Sequence, residues 1–279
     1  MESYENLSLR NHFMFGKICQ DVRNSQLILK ALLGEDITLV NSEQEKYLKA
    51  FEGSKYVRLD ILAKDDKDRL YNAELQHESH DKNRKLELPQ RARYYHAMLN
   101  TPNQEAGADY LDMKDVYIIF ICTFDPFGRG LTQYTIENRC LETDLPEYVD
   151  GAHTIFFNTL GDMRYVPIET RNMLEYIETG IPCDEATNKL EEQVREAREK
   201  EEWREEYMFA NVLYNDIYGE GRAVGREEGM AAGREEGMAR ANKLICSLFV
   251  DGVITKETAM EKLEMTEEEF EEALKATRD

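Results

Sequence analysis

Val116-Tyr117-Ile118-Ile119-Phe120-Ile121-Cys122, continuing to Phe124 with Thr123 inside it, is the longest apolar run in the chain. No polar residue alternates with the apolar ones, so a strand built from it is apolar on both faces and must be covered on both. The run is far short of the roughly 18 residues needed to span a membrane. It therefore reads as the buried central strand of a sheet.

The segments around it fit that placement. Residues 11–33 read as a helix, with Phe13, Phe15, Ile18, Val22, Leu27, Leu29 and Leu33 loosely at helical spacing and Gly34 at the stop position. Ile37 to Phe51 reads as a first strand. Tyr56 to Ala63 and Leu70 to Gln76 read as a hairpin around the charged turn Asp65-Asp66-Lys67-Asp68. Asn83 to Asn100 is a helix ended by Thr101-Pro102-Asn103, and Asp125-Pro126-Phe127-Gly128 is a turn. Leu131 to Cys140 and Thr154 to Asn158 supply further strands. Helix, three strands, helix and strands make an α/β pattern with one mixed central sheet, ending near residue 180 at Thr179-Gly180-Ile181-Pro182.

The chain has 279 residues, 42% of them hydrophobic, enough for one sizeable domain and an appendage. Charged residues are 33% and the net charge is −21, so the surface as a whole does not attract nucleic acid or anionic membrane, and any DNA contact needs a local basic patch. Cys19, Cys122, Cys140, Cys183 and Cys246 are odd in number, widely spaced and without a C-x-x-C pair. They read as reduced, mostly buried thiols of a cytoplasmic protein. No N-terminal apolar stretch has the form of a signal peptide.

The hairpin carries the candidate chemistry. If it closes around residue 67, Asp60 and Glu74 are each seven residues from the centre and lie opposite each other. Side chains alternate along a strand, so Glu74 and Gln76 share a face. Two carboxylates placed opposite each other cost stability unless something binds them. Oxygen-only donors suit a hard divalent cation, Mg2+ or Mn2+. Solvent-facing charges beside a turn are the plain alternative. His77 and His80 flank the hairpin end and can approach such a site, though histidines there are commonly idle. His153 has no evident partner in the sequence.

The next helix is basic and aromatic. Residues 82–96 contain Lys82, Arg84, Lys85, Arg91 and Arg93 against one acid, Glu87, a local net of +4, together with Tyr94, Tyr95 and His96. Arg91 and Tyr95 are four apart and share a helix face. Such a helix can hold phosphates and stack bases through Arg84, Lys85, Arg91, Arg93 and Tyr95. Alternatively, its tyrosines pack on the sheet and its arginines neutralise local acids.

Arg58 to Asp65, Asn72-Ala73-Glu74-Leu75-Gln76, Arg91-Ala92-Arg93-Tyr94-Tyr95, Gly107-Ala108-Asp109-Tyr110, Val116 to Ile121, Thr123 to Gly128 and Tyr134 to Cys140 occur in that order. This series resembles the recombination-promoting nuclease (Rpn) family, also described as putative transposases of the PD-(D/E)XK nuclease superfamily. It covers residues from about 8 to 240 and reaches the Gly-Arg-Glu-Glu-Gly repeats. No single motif is specific; the ordered series is. The resemblance implies a restriction-endonuclease-like α/β core over residues 1–180, acting as a Mg2+- or Mn2+-dependent DNA endonuclease linked to recombination or transposition. Asp60 and Glu74 match the metal-binding acids, and Gln76 stands where the superfamily usually has lysine. Glutamine supplies hydrogen bonds but no charge, so more of the electrostatic load falls on the metal. In Asn11-His12-Phe13-Met14-Phe15, His12 occupies a place where the family often has an acid. His12 is thus a candidate base or ligand, or simply a helix-start residue, and its presence opens a second reading: a catalytically inactive module binding DNA or protein on the same scaffold.

Residues 184–218 are dense in charge with anchors at Leu190, Val194, Trp203, Tyr207, Phe209 and Leu213, which reads as a long, mostly exposed helix. Gly-Arg-Glu-Glu-Gly-Met-Ala follows twice, eight residues apart, within glycines at every fourth position from Gly221 to Gly237. Each costs a helix roughly 1 kcal/mol relative to alanine, so 184–238 reads as a charged helix and repeat linker, a spacer or weak self-association element. Residues 239–279 read as a small unit of three short helices, with Gly252 ending the first, Thr255 capping the second and Thr266 with Glu269 boxing the third. Homo-oligomerisation through these C-terminal helices is a third reading.

Overall fold

The structure is a computed structural model that describes residues 2–48, 57–77, 82–101 and 109–276; among these, the side chains of 44–48, 57–58, 82–85, 213–225, 227–228, 231–232, 235 and 275–276 are outside the description. His80 and the glycine-led stretch Gly107-Ala108 lie outside it altogether.

Helices α1 (His12–Cys19) and α2 (Val22–Leu33) precede strands β1 (Leu39–Leu48), β2 (Val57–Asp65) and β3 (Leu70–Gln76). Helix α3 (Lys82–Asn100) leads to β4 (Val116–Cys122), β5 (Gln133–Ile136) and β6 (Ala152–Asn158), followed by α4 (Ile168–Thr179) and α5 (Glu185–Arg198). The six strands form one mixed sheet in the order β1-β2-β3-β4-β6-β5. β4 is parallel to both neighbours, β3 and β6, and every one of its residues is buried. This is the outcome expected of a strand apolar on both faces.

Two hydrophobic clusters cover the sheet. On one face Leu88, Ala92, Tyr95 and Leu99 of α3 pack with Ile118, Phe120 and Phe156. On the other, α1, α2, α4 and α5 pack with Ile61, Tyr71, Ile119 and Phe157. Tyr71, Tyr117 and His153 stack side by side across β3, β4 and β6, at 4.8 and 4.4 Å between ring centroids. His153 thus has a partner that its sequence neighbours did not reveal, and its Nε2 lies 3.9 Å from Asp115.

The single helix expected over 11–33 is broken at Gln20-Asp21. Asp21 caps α2 by accepting from the backbone N–H of Arg23 (2.9 Å), while Asn24 and Ser25 donate back to the carbonyls of Ile18 (3.0 Å) and Cys19 (2.7 Å) that end α1. The strand expected over Leu131–Cys140 shrinks to Gln133–Ile136. Asp125 gathers the preceding loop, accepting from the N–H groups of Phe127 (3.1 Å), Gly128 (2.9 Å) and Gly130 (2.7 Å) and from Tyr134 Oη (2.8 Å). Gly128 and Gly130 sit at φ 67° and 72°, the left-handed region that glycine adopts without strain.

The long exposed helix expected from residue 184 is two helices, and the first buries one face. Asp184 and Thr187 form a capping box at its start. Leu190, Val194 and Ala197 then bury one face at helical spacing, and Tyr4 Oη donates to the Ala197 carbonyl at 2.6 Å. Helix α6 (Glu201–Val250) runs unbroken through the glycine repeats. Contacts gather the chain into two compact units, Met1–Tyr207 and Met208–Asp279. Within the second, Cys246, Ala259 and Phe270 join the end of α6 to α7 (Lys256–Leu263) and α8 (Glu267–Ala276). Thr255 caps α7, and Thr266 with Glu269 caps α8 reciprocally, as their spacing suggested. Among the described residues no helix is long and apolar enough to cross a membrane.

The β2–β3 turn is pinned by Asp65, which is 1% exposed. Its carboxylate accepts from the N–H groups of Lys67 (3.0 Å) and Arg69 (2.8 Å), from Arg69 Nε (2.7 Å) and from Tyr71 Oη (3.1 Å). Asp65→Ala strands those donors, and chemical unfolding should register a loss of about 3–5 kcal/mol. Among the described residues, nothing beyond the adjoining helix backbone lies within 4 Å of where a Cβ would stand at Gly229, Gly233 or Gly237, so those glycines do not serve a close approach there. Replacing all three with alanine should raise the thermal midpoint of the second unit, each contributing up to about 1 kcal/mol.

Candidate active site

The ladder between β2 and β3 runs from Lys64↔Leu70 to Ile61↔Ala73. Continued by one step, that register sets Asp60 opposite Glu74, the arrangement read from a hairpin centred on residue 67. At this point side chains replace the ladder. The Asp60 backbone N–H donates to Glu74 Oε1 (3.1 Å), and the Leu75 N–H donates to Asp60 Oδ2 (3.2 Å). Each carboxylate is thereby tied to the backbone of the other's strand.

Glu74 projects onto the face covered by α3, and its side chain is only 2% exposed. The spacing of Leu88, Ala92, Tyr95 and Leu99 fixes the rotation of α3 over Phe120 and so aims Arg91 at β3. Arg91 Nη1 donates to Gln76 Oε1 at 2.9 Å, and Nη2 donates to Glu74 Oε2 at 3.2 Å and to Tyr95 Oη at 2.9 Å. The guanidinium lies over the rings of Tyr95 and Phe120, 5.5 and 5.6 Å from their centroids. One side chain therefore reads Glu74 and Gln76 together.

Asn72 sits two residues before Glu74 on the same face and is fully buried. In the amide orientation that satisfies its neighbours, it donates to the Ile61 carbonyl (3.0 Å) and to Glu74 Oε1 (3.3 Å). Asn72, Glu74 and Gln76 form a period-two series on one strand face, and that spacing is the sequence signal for the place of Asn72 in the site. Burial pushes the Glu74 carboxyl up to about 8, and the neighbouring Asp60 pushes the same way, against the pull of Arg91.

His12 begins α1 beside its cap Asn11, and its Nδ1 lies 3.4 Å from Asp60 Oδ2. His77 meets His12 edge to face at 4.8 Å, and its Nδ1 is 3.3 Å from Thr123 Oγ1. Burial, then the charge of His12, pushes His77 down to about 4, so it is neutral at physiological pH. The structure thus brings together Asp60, Glu74, Gln76, Arg91, Tyr95 and His12. Arg93 is exposed, and the side chains of Arg84 and Lys85 are among those not described. Tyr95 departs from the expectation of a base-stacking residue. It is 6% exposed, with its ring packed against Phe120, and it holds Arg91 instead. For Arg91 and Tyr95 the plainer reading, tyrosine on the sheet and arginine on a local acid, describes the geometry.

Among the described residues no group of three or more His, Cys, Asp or Glu is arranged to hold a metal ion. The Asp60–Glu74 pair could hold a divalent cation through its carboxylate oxygens. Magnesium keeps several waters and takes one or two carboxylates, so two hard oxygen donors on adjacent strands suffice. The metal-free protein has a pH signature. In the fold Glu74 releases its proton at higher pH than in the unfolded chain, where its ordinary value is 4.5. That contribution to stability is present below about pH 4.5 and is lost as pH rises toward 8. With chelator present, the thermal midpoint of Glu74→Gln minus that of the parent should rise between about pH 5 and 8; a flat difference would refute the assignment.

A family model described as PD-(D/E)XK nuclease family transposase matches residues 12–157. No curated protein and no solved structure matches the chain. The matched span begins at His12, contains Asp60, Glu74, Gln76 and Arg91, and ends in β6. The six-stranded mixed sheet flanked by helices is restriction-endonuclease-like. The chain belongs to the PD-(D/E)XK nuclease family transposases.

Proposed function

We propose that the chain hydrolyses DNA phosphodiester bonds with a divalent cation, Mg2+ or Mn2+, held by Asp60 and Glu74. The observation that carries this reading is the convergence on one strand end: Asp60 and Glu74 tied across β2 and β3, with Arg91 forked between Glu74 and Gln76. A cation bound there supplies Lewis-acid polarisation of a phosphoryl oxygen and acidifies water.

The chain's own groups supply position. A guanidinium has no acceptor, so Arg91 fixes Gln76 with Oε1 toward α3, and the Gln76 amide acts as an N–H donor that orients water or a phosphoryl oxygen. Gln76 takes no proton in this role; His12, beside Asp60, is the candidate acceptor. Arg84, Lys85, Arg91 and Arg93 on α3 hold the DNA backbone, the local basic patch that a chain of net charge −21 needs. A cytoplasmic setting accords with five free cysteines. The family's transposase description supports a link to recombination or transposition. The C-terminal helices are proposed as a self-association element, and the first unit as the nuclease domain.

A second reading, a silent nuclease fold that binds DNA or protein, is favoured by His12 in place of an acid and by the engagement of Glu74 with Arg91. Supercoiled plasmid incubated with Mg2+ or Mn2+ separates the two. Nicking should occur with the parent and fall at least about 100-fold in Asp60→Ala and Glu74→Ala, in line with the loss of a group that stabilises the transition state. Absence of nicking in either metal, with no metal binding by calorimetry, would favour the silent module.

A further inference from the structure

Among the described residues Arg91 has three hydrogen-bond partners, one of them an acid. Gln76 Oε1 and Tyr95 Oη are neutral anchors; Glu74, in its ionised form, is the anion that balances the guanidinium through Oε2. The same carboxylate is one of the two proposed cation ligands. Glu74 therefore cannot serve a cation fully while it neutralises Arg91.

We propose that Arg91 is an internal counter-ion that gives up Glu74 when a divalent cation binds, and that the released guanidinium then takes a DNA phosphate. This rests on the functional reading above and adds a regulatory step to it. Tyr95 and Gln76 keep Arg91 in place after Glu74 is lost, and the stacked rings of Tyr95 and Phe120 lie beside its guanidinium. Its side chain is 33% exposed, so a phosphate has access to it. A guanidinium left without an anion in that setting is costly, and a phosphate matches its fork geometry. Cation and DNA thus bind with positive linkage that passes through Arg91, and each strengthens the other by the same factor.

The test uses the full chain, Ca2+ as a hard oxygen-seeking ion and a short DNA duplex. With 15N-labelled arginine, the Arg91 Nε–H resonance is identified by its loss in Arg91→Lys. It should shift on Ca2+ addition and shift again when duplex is added with Ca2+. By fluorescence anisotropy, saturating Ca2+ should raise duplex affinity roughly tenfold in the parent, within the usual range of coupling between sites. The gain should fall below about twofold in Arg91→Met and be intermediate in Arg91→Lys, which keeps the charge without the fork. An Arg91 resonance unmoved at Ca2+ saturation, or an equal Ca2+-dependent gain in folded Arg91→Met, would overturn the inference. Asp60→Ala distinguishes this failure from a deeper one. If it binds Ca2+ as the parent does, the Asp60–Glu74 pair is not the cation site and the functional reading itself fails. If Ca2+ binding needs Asp60 but ignores Arg91, only the counter-ion step fails.

Discussion

The parallel pairing of β3 with β4 governs the geometry of the site. Parallel neighbours cannot be joined by a tight turn, so the chain leaves β3, crosses one face of the sheet as α3 and returns as β4. That crossover lays α3 over the face onto which Glu74 and Gln76 project. Phe120, in register with Glu74, then serves as the floor on which Tyr95 and Arg91 rest. Without the crossover, Glu74 would not meet Arg91.

Electrostatics at this floor are a balance of opposing demands. Glu74 is buried, faces another acid and leans on one arginine. Asn72 and the Asp60 N–H stabilise its charge through hydrogen bonds, while burial and Asp60 oppose it. A buried carboxylate with this set of neighbours is a costly structural device, because a well-packed apolar residue would serve the fold as well. Its presence accords with the proposed cation site.

Several residues of the motif series belong to the scaffold. Asp65 closes the hairpin turn and so sets the register that opposes Asp60 to Glu74. Asp125 organises the loop after β4 and steadies Tyr134. Tyr117 stacks between Tyr71 and His153, on the face away from Glu74. An ordered series of motifs can therefore mark a family while only part of it carries chemistry.

The sequence by itself determined much of the architecture. An unbroken apolar run fixed β4 as the central strand, alternation and turn chemistry placed the hairpin, and capping residues located α7 and α8, because these signals act over a few neighbouring residues. The opposition of Asp60 and Glu74 was legible for the same reason, since a hairpin's register follows from its centre. What lay beyond local reach was decided by tertiary structure. The burial of α5, the stack that takes in His153, the role of Asn72 and the inward turn of Tyr95 all depend on partners distant in the chain. Most of all, Arg91 meets Glu74 and Gln76 only because α3 packs on the sheet at one rotation, which sequence spacing along either element does not specify.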